Sequence, residues 1–154
     1  MANRTPLIAG NWKMYKTVSE AVATAEQLKT IVTGTAGVDV MVAPPFTAVA
    51  AVYEAVKGSN VAVGGQDLYW ETEGAYTGEV SPAMLVDAGC RYVIIGHSER
   101  RQFFGETDGS VNKKITAAID AGLIPVMCIG ESENEREAGQ TFSVLDKQVK
   151  KGLE

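Results

Sequence analysis

Several polar side chains of this sequence stand directly after short apolar segments. They are Asn11, Lys13, Gln66, Asp67, His97, Ser98, Glu99 and Glu131. If the apolar segments are parallel strands of a barrel, their carboxyl ends share one face, and active sites are built on that face. The sequence therefore concentrates its chemistry on one rim.

His97 is the only histidine of the sequence, and the residues alone leave two interpretations of it open. A lone imidazole at a strand end is commonly structural and caps the segment that follows. However, Gly96 permits close approach, and a charged run from Ser98 to Arg101 follows at once. A neutral imidazole in that setting polarises a carbonyl group or carries a proton.

Lys13 lies in an otherwise apolar run, two residues after Asn11. One interpretation is a surface lysine that extends its ammonium into water along an apolar stem. The other starts from strand geometry, because residues two apart lie on the same face of an extended strand. An ammonium group beside an amide suits an anionic, oxygen-rich ligand.

The cysteines offer neither a disulfide framework nor a metal site. Cys90 and Cys128 both lie in apolar stretches, which predicts buried thiols in a reducing compartment such as the cytoplasm. Without a second histidine, Cys128 has no base to activate it and no ligand set to join. We expect no metal and no organic cofactor.

Composition excludes several classes of partner. The 154 residues are 45% hydrophobic and carry 19 acidic against 14 basic side chains, mixed along the chain, for a net charge of −5. This balance argues against a nucleic-acid surface, and no apolar run approaches the roughly 18 residues of a membrane span. An anionic substrate would need local positive groups.

Apolar runs alternate with segments of helical periodicity, the pattern of consecutive βα units around a parallel sheet. The predicted strands are 7–14, 39–43, 61–65, 92–96 and 123–129. Helices are expected after a Thr17–Glu20 capping box, over 48–56, from Ser81-Pro82, and along two apolar stripes. The stripes are Val111, Ile115, Ala118 and Ile119, and then Phe142, Leu145, Val149 and Leu153.

We predict one structural unit over residues 1–154, an α/β fold of about five βα repeats. Five strands suit a doubly wound sheet, whereas a (β/α)₈ barrel needs eight strands and about 250 residues. No glycine-rich nucleotide motif follows the first strand. The polar segment 66–80 is long for a compact domain, which is typical of a functional loop.

Four longer motifs resemble the triosephosphate isomerase family in order and spacing. They are AGNWKM (9–14), GGQDLYWETEGAYTGEVSPAML (64–85), YVIIGHSERR (92–101) and PVMCIGE (125–131). The resemblance spans nearly the whole chain but only about the first five of the family's eight βα units. It implies a partial, truncated TIM-type (β/α)₈ barrel.

The resemblance also implies roles for individual residues. Asn11 and Lys13 would bind the substrate, with Lys13 stabilising charge, and His97 would be the neutral electrophile at the substrate carbonyl. Glu99 would lie near Lys13, and Ser98 would begin the helix behind His97. The implied reaction, in glycolysis and gluconeogenesis, interconverts dihydroxyacetone phosphate and D-glyceraldehyde 3-phosphate without a cofactor.

In the family, the long third loop reaches a neighbouring subunit, which would place Tyr76 and Thr77 at a dimer interface. The family's catalytic glutamate lies in a Tyr-Glu-Pro-Val-Trp segment that is absent from this sequence, as are the phosphate loops. Glu131 and the acidic run after it are typical of a solvated helix start.

Two functions therefore stay open. One is an isomerase that is inactive or very weak alone and needs a separate chain carrying the missing carboxy-terminal units. The other is a non-catalytic fragment or self-associating half-barrel scaffold. Because a five-stranded barrel leaves unpaired apolar edges, we expect a homo-oligomer in either case.

Overall fold

The computed structural model describes residues 4–154, which are built around a five-stranded parallel sheet. The strands are β1 (Leu7–Asn11), β2 (Asp39–Ala43), β3 (Val61–Gly65), β4 (Cys90–Ile95) and β5 (Ile124–Met127). Each strand pairs in parallel with the next in sequence, in the order β1-β2-β3-β4-β5. A doubly wound sheet reverses its strand order, whereas a barrel does not. The order confirms the partial barrel of about five βα units.

Helices follow the strands on the outside of the sheet. They are α1 (Val18–Ile31), α2 (Val49–Val56), α3 (Pro82–Asp87), α4 (Ser98–Phe103), α5 (Asp108–Asp120), α6 (Glu133–Glu137) and α7 (Thr141–Leu153). A 3₁₀ turn at Phe46–Ala48 precedes α2. The short helix α4 begins directly after His97, which is its N-cap residue.

Local capping explains where two helices begin. The Glu20 carboxylate accepts a 2.7 Å hydrogen bond from the Thr17 backbone N–H, which confirms the predicted capping box of α1. The Ser81 hydroxyl accepts a bond from the Met84 N–H at the start of α3, with Pro82 in the first turn. These bonds satisfy backbone donors that a helix start otherwise leaves unpaired.

The sheet is buried on both faces in its central strands. Val40 and Val42 of β2 pack into the larger core under the helices, whereas Met41 and Ala43 join Tyr92 in a smaller cluster on the opposite face. Successive strand residues point to opposite faces, so a strand covered on both sides reads as a continuous apolar run. This explains why the central strands were readable from sequence.

The first strand is shorter than predicted. It ends at Asn11 rather than Met14, because Lys13 adopts a left-handed backbone conformation with φ 51° that no strand accommodates. The Met14 side chain beyond it is 93% exposed. The prediction that Asn11 and Lys13 share one face of a strand was therefore wrong.

Two further predictions are corrected at the other edge. Strand β5 covers Ile124–Met127 rather than 123–129, so Ile129 lies outside the paired segment and is partly exposed. On α5, Ile119 is exposed, and Lys114 takes a buried place between Val111 and Ala118. A charged residue on an apolar stripe is invisible to a search for apolar periodicity.

The cysteines are both free thiols. Cys90 is buried as predicted, and burial raises its pKa to about 12. Cys128 is only half-buried, contrary to the prediction. Across residues 4–154, no helix combines the length and apolar character that a membrane crossing needs.

Candidate functional site

A cleft of about 200 Å³ opens at the carboxyl ends of the strands. Its lining residues are Asn11, Lys13, Met14, Gln66, His97, Glu99, Arg100 and Phe104. The structure thus brings together five of the strand-end residues named from the sequence, Asn11, Lys13, Gln66, His97 and Glu99. They follow β1, β3 and β4, as the rim of a parallel barrel requires.

The hydrogen bonding of His97 defines its tautomer. Its Nδ1 accepts a 3.2 Å bond from the Glu99 backbone N–H, so Nδ1 carries a lone pair and the ring proton resides on Nε2. The Glu99 carboxylate lies 3.5 Å from the same nitrogen, a contact that would require a protonated Nδ1. The backbone bond engages the Nδ1 lone pair and leaves Nε2 as the ring nitrogen that can donate to a ligand.

Gly96 orients the histidine that follows it. Its N–H donates to the Glu106 carboxylate at 3.1 Å, and its carbonyl accepts from Arg101 Nε at 2.8 Å. Its φ of 77° favours glycine, and an added Cβ would lie about 3.0 Å from Arg101 Nη2 and from Val111. A side chain at this position would displace the turn that aims His97.

Lys13 and Glu99 form an ion pair at the mouth of the cleft. Lys13 Nζ donates to Glu99 Oε1 at 2.7 Å, with both side chains about half exposed. The hydrogen bond to Glu99 raises the pKa of Lys13, and the same bond lowers the pKa of Glu99. The pair keeps an ammonium at the cleft and holds the neighbouring carboxylate ionised.

The backbone of Lys13 is strained. A left-handed conformation costs a residue other than glycine about 1 to 2 kcal/mol, and such strain clusters at functional sites. Asn11 offsets part of the cost, since its Oδ1 accepts a 3.0 Å bond from the Lys13 N–H. Asn11 therefore acts on the lysine through the backbone as well as lining the cleft.

Three buried charges, Asp67, Glu106 and Lys114, form a cluster with the partly exposed Arg100, which also lines the cleft. Lys114 Nζ contacts Asp67 at 2.7 Å and also contacts the Glu106 carboxylate. Arg100 Nε lies 2.8 Å from Asp67 Oδ2 without an aligned hydrogen bond, so this contact is one of charge. Burial raises the pKa of Asp67, and the nearby Lys114 and Arg100 oppose that shift. Two positive and two negative groups balance here.

This buried cluster was missed in the sequence, although signals for it exist. Asp67 directly follows β3, and Lys114 falls on the apolar stripe of α5, three residues after Val111. A lysine on such a stripe needs a buried partner, because an unpaired charge is very costly away from water. The partner Glu106 is remote from any strand and could not be paired by spacing alone.

The remaining predicted residues lie outside the cleft. Ser98 is exposed and begins α4. Tyr76 and Thr77 are exposed on the 66–80 loop, where the Tyr76 ring lies 4.6 Å from that of Tyr69. The Glu131 side chain, only 10% exposed, accepts from Arg136 and Thr141 and so is held by the α6–α7 segment. The backbone N–H of Glu131 and the bond from Arg136 lower its pKa.

The cleft is therefore suited to an anion with a carbonyl group. Lys13 and Arg100 bring two positive groups to the cleft, and each lies against a carboxylate, Glu99 and Asp67 respectively. Nowhere in residues 4–154 do three His, Cys, Asp or Glu side chains come together as metal ligands. The cleft residues that can polarise a ligand are the Lys13 ammonium and the His97 imidazole.

Comparison with known proteins supports the family resemblance. A family model described as triosephosphate isomerase matches residues 6–154. The triosephosphate isomerase of Moorella thermoacetica is 59% identical over 150 residues, which cover 97% of this chain and 60% of that protein. That of Citrifermentans bemidjiense is 54% identical over 151 residues, covering 98% of this chain and 60% of that protein.

The similarity to triosephosphate isomerases extends to the three-dimensional structure. The crystal structure of triosephosphate isomerase from Bartonella henselae superposes with a TM-score of 0.89 at 35% identity, covering 98% of this chain and 62% of that one. This chain thus spans about 60% of the length of the relatives it matches. With the family model matching nearly its whole length, the chain belongs to the triosephosphate isomerase family.

Proposed function

We propose that this chain supplies the electrophilic half of an active site that interconverts dihydroxyacetone phosphate and D-glyceraldehyde 3-phosphate, a step of glycolysis and gluconeogenesis. The observation that carries the proposal is the cleft itself, where Lys13 and the neutral imidazole of His97 line one small volume. Both are donors suited to an oxygen atom that gains negative charge. Their presence in a member of this family supports the assignment.

In the proposed reaction, a base removes a proton from the carbon beside the substrate carbonyl, and the carbonyl oxygen gains the charge of an enediolate. His97 Nε2–H donates a hydrogen bond to that oxygen, and Lys13 Nζ stabilises the same charge and the substrate anion. Asn11 lines the cleft with an amide beside them. Donors that are already oriented stabilise the transition state without having to reorganise.

The base itself is not among the cleft residues. Glu99 is the single carboxylate among the residues that line the cleft, and its hydrogen bond with Lys13 lowers its pKa. A carboxylate stabilised in its ionised form is a weak proton acceptor. Glu131, the other strand-end carboxylate, is held by Arg136 and Thr141. We therefore propose that the general base comes from residues beyond these 154.

The proposal is tested by an isomerase assay of the 154-residue chain, purified from a host without its own triosephosphate isomerase. We expect turnover far below the ordinary enzyme range of about 10 per second. Any residual activity should disappear in both His97→Gln and Lys13→Met. Activity that survives both substitutions would contradict the roles proposed for these residues.

A scaffold is the second candidate function, and exposed apolar residues on the edge strand favour self-association. Ile8 of β1 is 62% exposed, and β1 pairs with β2 alone among the described strands. We propose a homo-oligomer in which a second copy covers this edge, with Tyr76 and Thr77 of the 66–80 loop at a further contact. Two free thiols suit a cytoplasmic setting.

Sedimentation of Ile8→Lys tests the association. The substitution places a charge on the exposed edge, so it should lower the oligomer fraction at micromolar concentration. The matched control is Ile31→Lys on α1, where the isoleucine is 78% exposed on the helix surface. A monomeric unmodified chain, or equal effects of the two substitutions, would contradict the proposal.

A further inference from the structure

Gln66 joins two strand ends beneath the cleft. It directly follows β3 and is half-buried, and its Nε2 donates one bond to the carbonyl oxygen of Lys13 and another to that of Ala43, each at 2.8 Å. Because both partners are carbonyl oxygens, the amide nitrogen must face them. One NH₂ group therefore links Ala43, at the end of β2, to Lys13, which lies just beyond β1 and carries the ammonium.

The Lys13 carbonyl belongs to the left-handed turn, and the turn is held on both sides. Asn11 Oδ1 accepts from the Lys13 N–H at 3.0 Å, and Gln66 donates to the Lys13 carbonyl. The Ala43 oxygen also accepts from the Trp12 N–H at 3.0 Å. Four hydrogen bonds thus surround a backbone conformation that lysine rarely adopts.

We propose that Gln66 is a positioning residue that holds the main chain of Lys13 in its left-handed conformation and thereby directs Nζ toward Glu99 and the cleft. Gln66 acts on the cleft through Lys13, by means of its hydrogen bonds to the carbonyl oxygens of Lys13 and Ala43. What Lys13 does in the cleft rests on the proposed function. The conformational part of the inference stands on the geometry alone.

Glutamine is chemically suited to this position. Its amide nitrogen has two hydrogens, one for each carbonyl, whereas an ionised glutamate would only accept and methionine would do neither. Removing the amide leaves two carbonyl oxygens with one partner fewer, so some loss of stability is expected in any case. The test must separate that general loss from an effect on Lys13.

Gln148 of α7 provides the matched control. It is also half-buried, and its amide also makes two bonds to backbone, accepting from the Gly130 N–H at 2.9 Å and donating to the Gly130 carbonyl at 3.0 Å. Gln148 lies outside the cleft that Lys13 lines. Gln66→Met and Gln148→Met therefore each remove two side-chain bonds to backbone, and only one of them touches Lys13.

The experiment is NMR spectroscopy of the 154-residue chain and these two variants. The coupling between the Lys13 amide and α protons reports its φ, and a pH titration of the Glu99 carboxyl reports the ion pair. In Gln66→Met we expect the Lys13 coupling to change and the pKa of Glu99 to rise toward its ordinary value of 4.5. In Gln148→Met both should match the unmodified chain, with a similar loss in thermal midpoint.

Unchanged Lys13 coupling and Glu99 titration in Gln66→Met, despite lowered stability, would overturn the inference. If that variant does not fold, Gln66→Glu keeps the shape and solubility of the side chain while removing both donors at neutral pH. It should show the same change in Lys13. An absence of isomerase activity in every assay would defeat the proposed function alone, because neither NMR signal depends on turnover.

Discussion

Lys114 illustrates how one buried charge supports a site it does not line. Its ammonium, in a side chain only 6% exposed, lies between Asp67 and Glu106. Glu106 in turn accepts from the Gly96 N–H, next to His97. The ammonium of Lys114 therefore pairs with two interior carboxylates, and one of them, Glu106, holds the turn before the imidazole.

Replacing Lys114 by methionine should destabilise the chain by about 3 to 5 kcal/mol, because it leaves a buried carboxylate without its partner. Urea denaturation measures the loss. Lys150→Met is the control, since Lys150 pairs with Asp146 at 2.8 Å on the surface, where such pairs contribute about 0 to 1 kcal/mol. Equal losses in the two variants would show that the Lys114 cluster contributes no more than a surface pair.

At the scale of single residues, the sequence predicted which residues meet in the cleft better than it predicted their backbone conformations. The grouping of Asn11, Lys13, His97 and Glu99 on one rim followed from their places after predicted strands, aided by the family motifs. The left-handed turn at Lys13 did not, because no glycine marks it. The backbone of Lys13 is hydrogen-bonded on both sides, to Asn11 and to Gln66, and sequence spacing does not reveal these bonds.

Helix α1 begins with a capping box whose strength depends on pH. Hydrogen bonds from the Thr17 backbone and hydroxyl lower the pKa of Glu20 below its ordinary 4.5. A carboxyl whose pKa is lowered in the folded state stabilises that state above its unfolded pKa. The stabilisation is lost as the pH falls through the lowered value.

Glu20→Gln should therefore be less stable than the unmodified chain at pH 7, although glutamine can still fill the capping position. The difference between the two should shrink as the pH falls below about 4.5. Urea midpoints measured from pH 7 to pH 3 provide the comparison. A difference that stays constant over this range would mean that the charge of Glu20 has no part in the cap.

Two glycines end helices in the same way and allow a matched test of packing. Gly89 follows α3 and Gly122 follows α5, each one residue beyond the helix cap, with φ of 89° and 79°. An added Cβ at Gly89 would clash with the Tyr53 ring, whereas at Gly122 it would meet nothing within 4 Å. Alanine would strain the backbone at both positions, but only at Gly89 would its Cβ also clash with a neighbouring side chain.

We expect Gly122→Ala to cost about 1 to 2 kcal/mol from its left-handed backbone alone. Gly89→Ala should cost about 1 to 3 kcal/mol more, because Tyr53 and the α3–β4 turn must move apart. Denaturant midpoints of the two variants measure the difference between their stability losses. Equal losses would show that the Tyr53 ring moves aside freely.

Element types were largely predictable, and element ends were not. Val61–Gly65 and Asp39–Ala43 were predicted to the residue, because both are apolar runs with clear breakers after them. The ends of β1 and β5 were predicted too long, since apolar residues continue past the last paired position. A strand ends where its hydrogen bonding to a neighbouring strand stops, and the apolar pattern does not show that point.

For the whole molecule, the proposed function divides an active site between two parts of a longer protein. The described residues bring Lys13 and His97, the donors of the proposed function, into one cleft, while the carboxylate of Glu99 there is paired with Lys13. The relatives it matches are longer, and 60% of their length is represented here. Under the proposed function, catalysis requires a base from outside these 154 residues, placed at a distance and orientation suited to the cleft.

The most direct test is turnover of triose phosphates by this chain, alone and mixed with a separately purified polypeptide that carries the carboxy-terminal two fifths of a close relative. We predict that the chain alone turns over more slowly than the ordinary enzyme rate of about 10 per second. The loss should be at least of the size that a general base contributes, about 10²- to 10⁴-fold. The mixture should be faster than either part, and His97→Gln in this chain should remove the gain. Turnover of about 10 per second or more from the chain alone would contradict the account.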